Sequence, residues 1–422
     1  MKSIISFVIE GLGKSSLVLF SGSALSQVLN FIAIPVLARI FTPEHFGVVA
    51  TISSISAILL VISSGRYQLA IPLPKNFLDG FSILILCIAV SLAFNLFILL
   101  AIVFVKAYVF SSINLLYVIV IPLMTFLSAV INAFTFWYTR EKHFKTIFWG
   151  RIILAAMTIC SQLVLSMIWG ASAGIFFSGI FIGTVSAIIF FCINIIADRT
   201  KWNFSIESLT QNALRYKRFP LVEIWGALLN TISGNFPNLF LTNYWSVWHV
   251  GQYSMMQKLI IAPSGAFSTS VSQVFFGKIS EAKNKGEKIY LESKRIYKLL
   301  FFIGLVPFAL ISIGGKNIFS ILLGDQWAVS GVFSQVLSVG FLFQFAYQPL
   351  GFLLIVLEKQ SLLVWMNTLF LLLTIISFCL GYLLDSQDLM ISLILLSLSY
   401  SFIYVLFSKL ILNVVKNTSL NI

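Results

Sequence analysis

The sequence predicts an all-α integral membrane protein of about twelve transmembrane helices, built as two six-helix halves. The first observation is composition, since 59% of the 422 residues are hydrophobic and 10% are charged. About a quarter of the residues in a soluble domain are charged. The second observation is that apolar runs recur at the length of about 20 residues that crosses a bilayer. The third is that basic residues lie between these runs, so lipid is predicted to be a second solvent for this chain.

Twelve apolar runs are candidate spans. Those of the first half lie near 15–38, 47–65, 81–104, 115–137, 152–169 and 172–197. Those of the second half lie near 220–243, 251–277, 299–323, 331–357, 361–384 and 389–408. Prolines inside these runs are expected to kink a helix rather than end it, because neighbouring helices satisfy the freed carbonyl groups. Residues 4–9 predict a short interfacial helix rather than a signal peptide, since Glu10 interrupts that apolar run.

The basic residues orient the spans. With the N-terminus in the cytoplasm, 23 of the 27 Lys and Arg residues fall on the cytoplasmic side, in accord with the positive-inside rule. Arg39, Lys106 and Lys316 fall outside, and Lys258 lies within a span. Both termini are then cytoplasmic and the number of spans is even. The same distribution accounts for the net charge of +13, so no nucleic-acid partner is predicted.

Polar intervals divide the chain. The longest are 198–219 and 278–298, both predicted to be cytoplasmic. The first separates an N-terminal six-helix bundle at 1–197 from a C-terminal six-helix bundle at 220–422, with 198–219 as the linker. Because six is an even number, both halves enter the membrane in the same direction, which permits a parallel repeat.

A short motif supports such a repeat. In the first half, Pro35 precedes the sequence HFG at 45–47, which opens the second span. In the second half, Pro237 precedes the sequence HVG at 249–251, which opens the eighth span. The two motifs fall at corresponding positions of the two halves.

Polar residues form a stripe on the first span of each half. Span 1 carries Ser23, Gln27 and Asn30. Their spacings of four and three residues place them on one helical face. Span 7 carries, at intervals of four, the residues Gly226, Asn230, Gly234 and Asn238. Two interpretations stay open at this point: close packing between helices, or the lining of a polar cavity.

Two charged residues of the second half lie within spans. Lys258, seven residues into the predicted eighth span, is either a cation whose stem snorkels to the outer interface or a cation that faces an anionic group such as a phosphate in an internal cavity. Glu223, near the cytoplasmic end of span 7, is either an acid favoured at a helix start by the dipole or a site for a coupling ion. The depths of Lys258 and Glu223 argue against a direct pair.

Other reactive side chains show no clustering. The four cysteines lie inside apolar runs and are interpreted as small hydrophobic residues. His45, His143 and His249 are assigned to loops without clustered partners. No phosphate-binding glycine loop of the ATPase type is present. We therefore predict no cofactor, no metal site and no enzymatic activity.

The chain resembles the polysaccharide flippases of the multidrug/oligosaccharidyl-lipid/polysaccharide exporter superfamily, especially bacterial O-antigen flippases. The resemblance rests on the segments ARIFTPEHFGVVA, RYQLAIPLP, YTREKHFK, YKRFPL, GQYSMMQKLIIAP, LLGDQWAVSG and EKQ, which span nearly the full length in family order. One departure is Gln68 in RYQLAI, where relatives often have an acid, so a charge role at that position is in doubt.

This resemblance implies two bundles with pseudo-two-fold symmetry around a central cavity lined by spans 1, 2, 7 and 8. It implies transport of an undecaprenyl-diphosphate-linked oligosaccharide, an O-antigen or related lipopolysaccharide repeat unit, from the cytoplasmic to the periplasmic leaflet of the bacterial inner membrane. Alternating access would follow from rocking of the two halves. Expected partners are this substrate and membrane lipids, with a polysaccharide polymerase and a chain-length regulator as further candidates. The candidate coupling-ion residue is Glu223, and the candidate substrate-binding residues are Lys258, Arg39, Arg66, Gln27, Asn30, Asn230 and Asn238.

Three alternatives were weighed. A multidrug-type exporter of the same superfamily would favour acidic cavity residues, whereas the charge within spans is mainly basic here. A membrane enzyme of glycan assembly, such as a polymerase, would carry a large outer loop, and no predicted outer loop exceeds about ten residues. A non-transporting scaffold for glycan enzymes would have no need of the polar stripes.

The orientation yields a direct prediction. Cysteines introduced as Lys142→Cys and Lys283→Cys should label only with membrane-permeant maleimides in intact cells, since both positions are predicted to be cytoplasmic. Lys106→Cys, predicted to lie in the outer loop after the third span, is the matched control and should label with impermeant reagents. Labelling of position 142 or 283 from outside would contradict the orientation.

Overall fold

The computed structural model describes residues 14–106, 115–197, 206–268, 271–272, 275, 279, 289–357 and 359–418. The interfacial helix predicted at residues 4–9 lies outside these ranges. In this protein-only structure an exposed side chain is one that protein does not cover, so it meets either lipid or water.

The first half is a succession of helices at the predicted places. Six long helices are α1 (Lys14–Ile40), α2 (Pro43–Ser63), α3 (Phe77–Lys106), α4 (Leu115–Arg140), α5 (Phe144–Trp169) and α6 (Ala173–Ala197). A 3-10 turn, Tyr67–Ala70, lies between α2 and α3, and the predicted linker contains a short helix α7 (Ile206–Arg215).

The second half begins with a π-helical turn, Phe219–Glu223, that leads into α8 (Ile224–Tyr244). Helix α9 (Val247–Met256) passes through a second π-helical turn, Gln257–Ile261, and continues as helix over 262–268. The remaining helices are α10 (Ile289–Leu323), α11 (Ala328–Val356), α12 (Gln360–Leu384) and α13 (Leu389–Thr418).

The all-α membrane fold is confirmed. Across the part of the chain that the structure describes, nine helices are long and apolar enough to cross a membrane. The three other predicted spans fall on α1, α8 and α9. Helix α1 has an apolar stretch of described side chains over Leu25–Ile40, and α8 carries the polar stripe that lowers its hydropathy.

Several helices extend beyond the predicted spans. Helix α5 begins eight residues earlier than expected, α10 begins ten residues earlier and α13 ends ten residues later. The added segments contain Lys145, Lys294 and Lys409, which an apolar criterion excludes. Lys and Glu are good helix formers, so these helices continue past the hydrocarbon into the region where charged side chains are hydrated.

The chain divides into two compact units, Lys14–Asn235 and Phe236–Ile422. The boundary falls within α8, whereas we predicted a division at the linker 198–219. The beginning of span 7 is therefore grouped with the preceding helices, because the π-helical turn Phe219–Glu223 packs on the 3-10 turn Tyr67–Ala70.

In the unit Lys14–Asn235, close helix packing depends on small residues facing large ones. Phe191 of α6 occupies the space where Gly150 of α5 has no side chain, and Gln162 fits against Gly179 in the same way. The Tyr138 hydroxyl donates to the carbonyl oxygen of Phe191 at 2.6 Å, so this buried phenol is satisfied within the apolar core.

The unit Phe236–Ile422 uses the same devices. Gly315 of α10 and Gly331 of α11 approach backbone to backbone. The buried Gln252 of α9 donates to the carbonyl oxygen of Gln326 at 2.6 Å and accepts from the Ser330 backbone N–H at 2.9 Å. Gln252 thereby joins α9 to the start of α11 and satisfies a helix-terminal donor.

The HFG and HVG motifs adopt matching local structures, one in each unit. Thr42 caps α2, and the backbone N–H of Thr42 donates to Nδ1 of His45, three residues later. Ser246 caps α9, and its hydroxyl contacts Nδ1 of His249, also three residues later. The assignment of these two histidines to loops is wrong, because each lies in the first helical turn as the capping partner. His143 immediately precedes α5.

Candidate functional site

The stripe on α8 faces open space along much of its length. Asn230 is exposed, and a Cβ added at Gly226 or Gly234 would meet no atom of the described chain within 4 Å. If these glycines served close packing between helices, atoms of a neighbouring helix would lie next to them, because small residues let two backbones approach. This part of the stripe therefore has the geometry of a lining surface.

Asn238, the last member of the stripe, has a different environment. It is 6% exposed, and its Nδ2 donates to Oε1 of Gln257 at 3.3 Å. This bond joins α8 to the π-helical turn Gln257–Ile261 within the unit Phe236–Ile422. Asn238 is therefore placed to position that turn rather than to face an open surface.

Lys258 lies in the same π-helical turn. We expect the nearest interface to lie at the level of Trp248, because indole rings concentrate at the headgroup level. Ten residues of helix separate Trp248 from Lys258, a distance of about 15 Å at the usual rise. The hydrocarbon core is about 30 Å thick, so we expect Lys258 near the midplane, deeper than the sequence suggested. A stem of four methylenes cannot bring its ammonium to the interface from that depth, which disfavours snorkelling alone.

The stripe on α1 is also uncovered. Gln27 and Asn30 are both exposed, and Arg39, in the last turn of α1, is exposed as well. Ser23 belongs to the stripe by spacing, but its side chain lies outside the described ones. The carboxamides of α1 are therefore available to a ligand, within the unit Lys14–Asn235.

Arg66 and Glu223 are electrostatic neighbours at the predicted cytoplasmic end of the unit Lys14–Asn235. Arg66 has a left-handed backbone conformation with φ 59°, directly after Gly65 at φ 56°. Burial lowers the pKa of the Arg66 guanidinium from its ordinary value, and the negative charge of Glu223 opposes that shift. Glu223 is exposed at the end of the first π-helical turn, so its electrostatic partner in the structure is Arg66.

Sequence reasoning missed Gln257 and both π-helical turns. A signal was present, because a proline accompanies each turn. Pro220 lies within the first, and Pro263 follows the second by two residues. Proline lacks an N–H and its ring clashes with the carbonyl four residues earlier, which here belongs to Leu259. Widening the helix over Gln257–Ile261 accommodates that clash, and π-helical turns occur frequently at functional sites.

The described residues contain no group of three or more His, Cys, Asp or Glu side chains that could hold a metal ion. The four cysteines are free thiols, of which Cys87 is buried and Cys160 is exposed. The stripes on α1 and α8 offer carboxamide hydrogen bonds, and the basic residues described above offer positive charge at other positions.

Comparison with known sequences gives two matches. Residues 36–331 match a family described as polysaccharide biosynthesis protein. The capsular polysaccharide biosynthesis protein CapF of Staphylococcus aureus is 22% identical over 353 residues, covering 81% of this chain and 85% of that protein.

Comparison with solved structures shows the fold. An inward-facing multidrug resistance MATE family transporter of the MOP superfamily superposes with a TM-score of 0.68 at 13% identity, covering 98% of both chains. The lipid II flippase MurJ in an inward closed conformation superposes with a TM-score of 0.70 at 14% identity, covering 95% of this chain and 90% of that one.

The open stripe can be tested through stability. Gly234→Ala should leave the free energy of unfolding unchanged or raise it by up to about 1 kcal/mol, because alanine is the better helix former and the added Cβ has open space. Gly331→Ala is the matched control, and overpacking against Gly315 should cost about 1–3 kcal/mol. The measurement is thermal unfolding in detergent, followed by size-exclusion chromatography. Equal destabilisation by both substitutions would show that Gly234 is packed against another helix.

Proposed function

This chain belongs to the family of polysaccharide biosynthesis proteins, and from that premise we propose that it is a lipid-linked oligosaccharide flippase. The proposed substrate is an undecaprenyl-diphosphate-linked repeat unit of a surface polysaccharide, either O-antigen or capsular. The proposed direction is from the cytoplasmic to the periplasmic leaflet. The resemblance stated from the sequence is confirmed at the level of the family and the fold.

The observation that carries this proposal is the uncovered carboxamide surface on α1 and α8 of the unit Lys14–Asn235; the unit Phe236–Ile422 separately supplies the cation Lys258. Lys258 supplies a positive charge to a diphosphate, and Arg39 is a second candidate cation. Gln27, Asn30 and Asn230 offer donors and acceptors to sugar hydroxyls. Polar groups in lipid are costly, so their retention on exposed faces indicates that a polar ligand or water covers them during transport.

Transport then follows from what each part of the ligand requires. The polyprenyl tail stays in lipid, where its methylene groups are already favourably solvated. The diphosphate needs a cation when it leaves the headgroup region, and Lys258 provides one at the depth where that need is greatest. The bond from Asn238 to Gln257 orients the π-helical turn that holds this lysine. Alternating exposure of such a surface to the two leaflets is the mode of transport that we propose.

Two other functions were considered. A multidrug exporter is consistent with the shared fold, but the uncovered stripes on α1 and α8 carry carboxamides rather than the acids suited to cationic drugs. A membrane polymerase is disfavoured, because the solved structures that superpose on this chain include a multidrug transporter and a lipid II flippase. The expectation that the chain is not an enzyme agrees with these neighbours.

The test is complementation of a bacterial strain that lacks its O-antigen flippase, with a capsule-deficient strain as a second host. Wild-type chain should restore surface polysaccharide on a gel in at least one host. Lys258→Ala should reduce display by about tenfold or more, since it removes a charged hydrogen-bonding partner, and Lys258→Arg should retain much of it.

Lys409→Ala is the matched control, because Lys409 is exposed near the C-terminus and should not contact the substrate. Expression and membrane insertion of all variants are compared by immunoblot. Wild-type display by Lys258→Ala at equal expression would contradict a cationic role for this residue. Failure of the wild-type chain in both hosts would contradict the proposed function.

A further inference from the structure

Arg66 is a partly buried guanidinium whose donors are not consumed by the described protein. Its Nε is shielded from solvent and has no hydrogen-bond partner. Among the described residues, Arg140 and Glu141 form an ion pair within 4.0 Å, whereas Arg66 and Glu223 do not reach that distance. A buried charge that is neither paired nor hydrogen-bonded is costly, so a ligand that accepted from Arg66 would recover that cost.

Arg140, in the same unit, is a structural arginine whose Nε also lacks a partner but whose terminal nitrogens are bonded. Its guanidinium donates to the carbonyl oxygens of Asn76 at 2.6 Å and Pro74 at 3.1 Å, and it lies over the ring of Trp137. These bonds fix the segment between the 3-10 turn and α3. Arg66 makes no such contacts with the described chain, so its role is not to hold a loop.

The backbone around Arg66 is built to present this side chain. Arg66 adopts a left-handed conformation, which is uncommon for a residue with a Cβ. The turn is fixed on its far side, since the Tyr67 hydroxyl donates to the carbonyl oxygen of Ala213 at 3.1 Å. A Cβ at Gly65 would lie 3.6 Å from that of Pro220, so the first π-helical turn packs directly on this segment.

The surroundings of Arg66 match the headgroup region of a membrane. Leu221, Val222 and Trp225 are large apolar side chains with 62–66% of their surface exposed. Arg215 and Arg218 are exposed on the segment just before them. An exposed tryptophan with flanking cations is typical of an interfacial segment, and the predicted orientation places this one at the cytoplasmic leaflet.

We propose that Arg66 binds the phosphate or diphosphate headgroup of a membrane lipid at the cytoplasmic leaflet, and that Glu223 is a nearby counter-charge that lowers the affinity of Arg66 for this headgroup. A guanidinium forms bidentate hydrogen bonds with phosphate oxygens. The Glu223 carboxylate interacts with Arg66 from beyond ion-pair distance, so it offsets the positive charge without occupying the donors. The identity of the lipid as a diphosphate-linked substrate rests on the proposed function, whereas the headgroup site itself does not.

Glu223 therefore has a role that differs from the two considered from the sequence. The negative charge of Glu223 lowers the affinity of Arg66 for an anion. A bound headgroup can therefore leave again during a transport cycle. The consequence is a pair of substitutions with opposite signs. Removing the Arg66 charge should weaken headgroup binding, and removing the Glu223 charge should strengthen it.

The experiment uses the full chain in phosphatidylcholine nanodiscs, with geranylgeranyl diphosphate as the titrated probe and thermophoresis as the readout. Arg66→Gln should weaken binding by about tenfold or more, and Arg66→Lys should weaken it less. Glu223→Gln should tighten binding by about two- to fivefold, the range of a solvent-screened charge interaction. Arg218→Gln is the matched control and should change the binding affinity by less than Arg66→Gln or Glu223→Gln does. Geranylgeraniol, which has no phosphate, should show no dependence on Arg66.

Nanodiscs containing phosphatidylglycerol distinguish the two lipid sources. If phosphatidylglycerol competes with the probe, the site belongs to phospholipid headgroups. If phosphatidylglycerol does not compete, the site belongs to polyprenyl diphosphates. Binding by Arg66→Gln and Glu223→Gln within twofold of the wild type would overturn the proposal. If Arg66→Gln does not elute as a folded species, the Glu223→Gln variant tests the proposal instead. Unchanged affinity of Glu223→Gln for the probe would contradict a counter-charge role. Arg66-dependent binding without complementation in cells would refute the flippase function and leave this site standing.

Discussion

The absence of water in the bilayer is the constraint on which this structure depends. Every backbone polar group in lipid must be satisfied within the protein, so the described spans are helices that pack through glycine and serine contacts. Buried side chains obey the same rule where they are structural, as Gln252 and Tyr138 show with their short hydrogen bonds to backbone groups. Polar residues that protein leaves uncovered, Gln27 and Asn30 on α1 and Asn230 on α8, are then the ones that require an explanation from function.

Those exceptions share a physical logic. Gly226, Asn230 and Gly234 form an uncovered strip on α8, and the next member of the stripe, Asn238, turns inward to hold Gln257. One periodic pattern thus serves two purposes, a ligand-facing surface and a support for the lysine-bearing turn. At the predicted cytoplasmic end, Arg66 presents unsatisfied donors close to a single carboxylate. We propose separate roles for two cations: Arg66, in the unit Lys14–Asn235, for a headgroup in its leaflet, and Lys258, in the unit Phe236–Ile422, for a diphosphate within the bilayer.

Much of the fold could be predicted from the sequence, because composition and length determine where spans lie. The capping pairs also followed a readable pattern, a Ser or Thr before a histidine three residues later in each half, although the histidines were first assigned to loops. The π-helical turns were missed, because a proline in a span predicts a kink but does not indicate which turn of the helix widens into a π-helical turn. The partnership of Arg66 with Glu223 could not be predicted either, because 157 positions separate them and only the packing of the linker brings them together.

The central claim is that this chain moves a lipid-linked oligosaccharide between leaflets. The most direct measurement reconstitutes the purified chain in liposomes with a fluorescent polyprenyl-diphosphate oligosaccharide and follows the fraction of label that an external, impermeant quencher can reach. We expect protein-containing vesicles to expose inner-leaflet label much faster than protein-free vesicles, and a fluorescent lipid without the diphosphate to move no faster. Equal rates with and without folded protein would contradict the central claim.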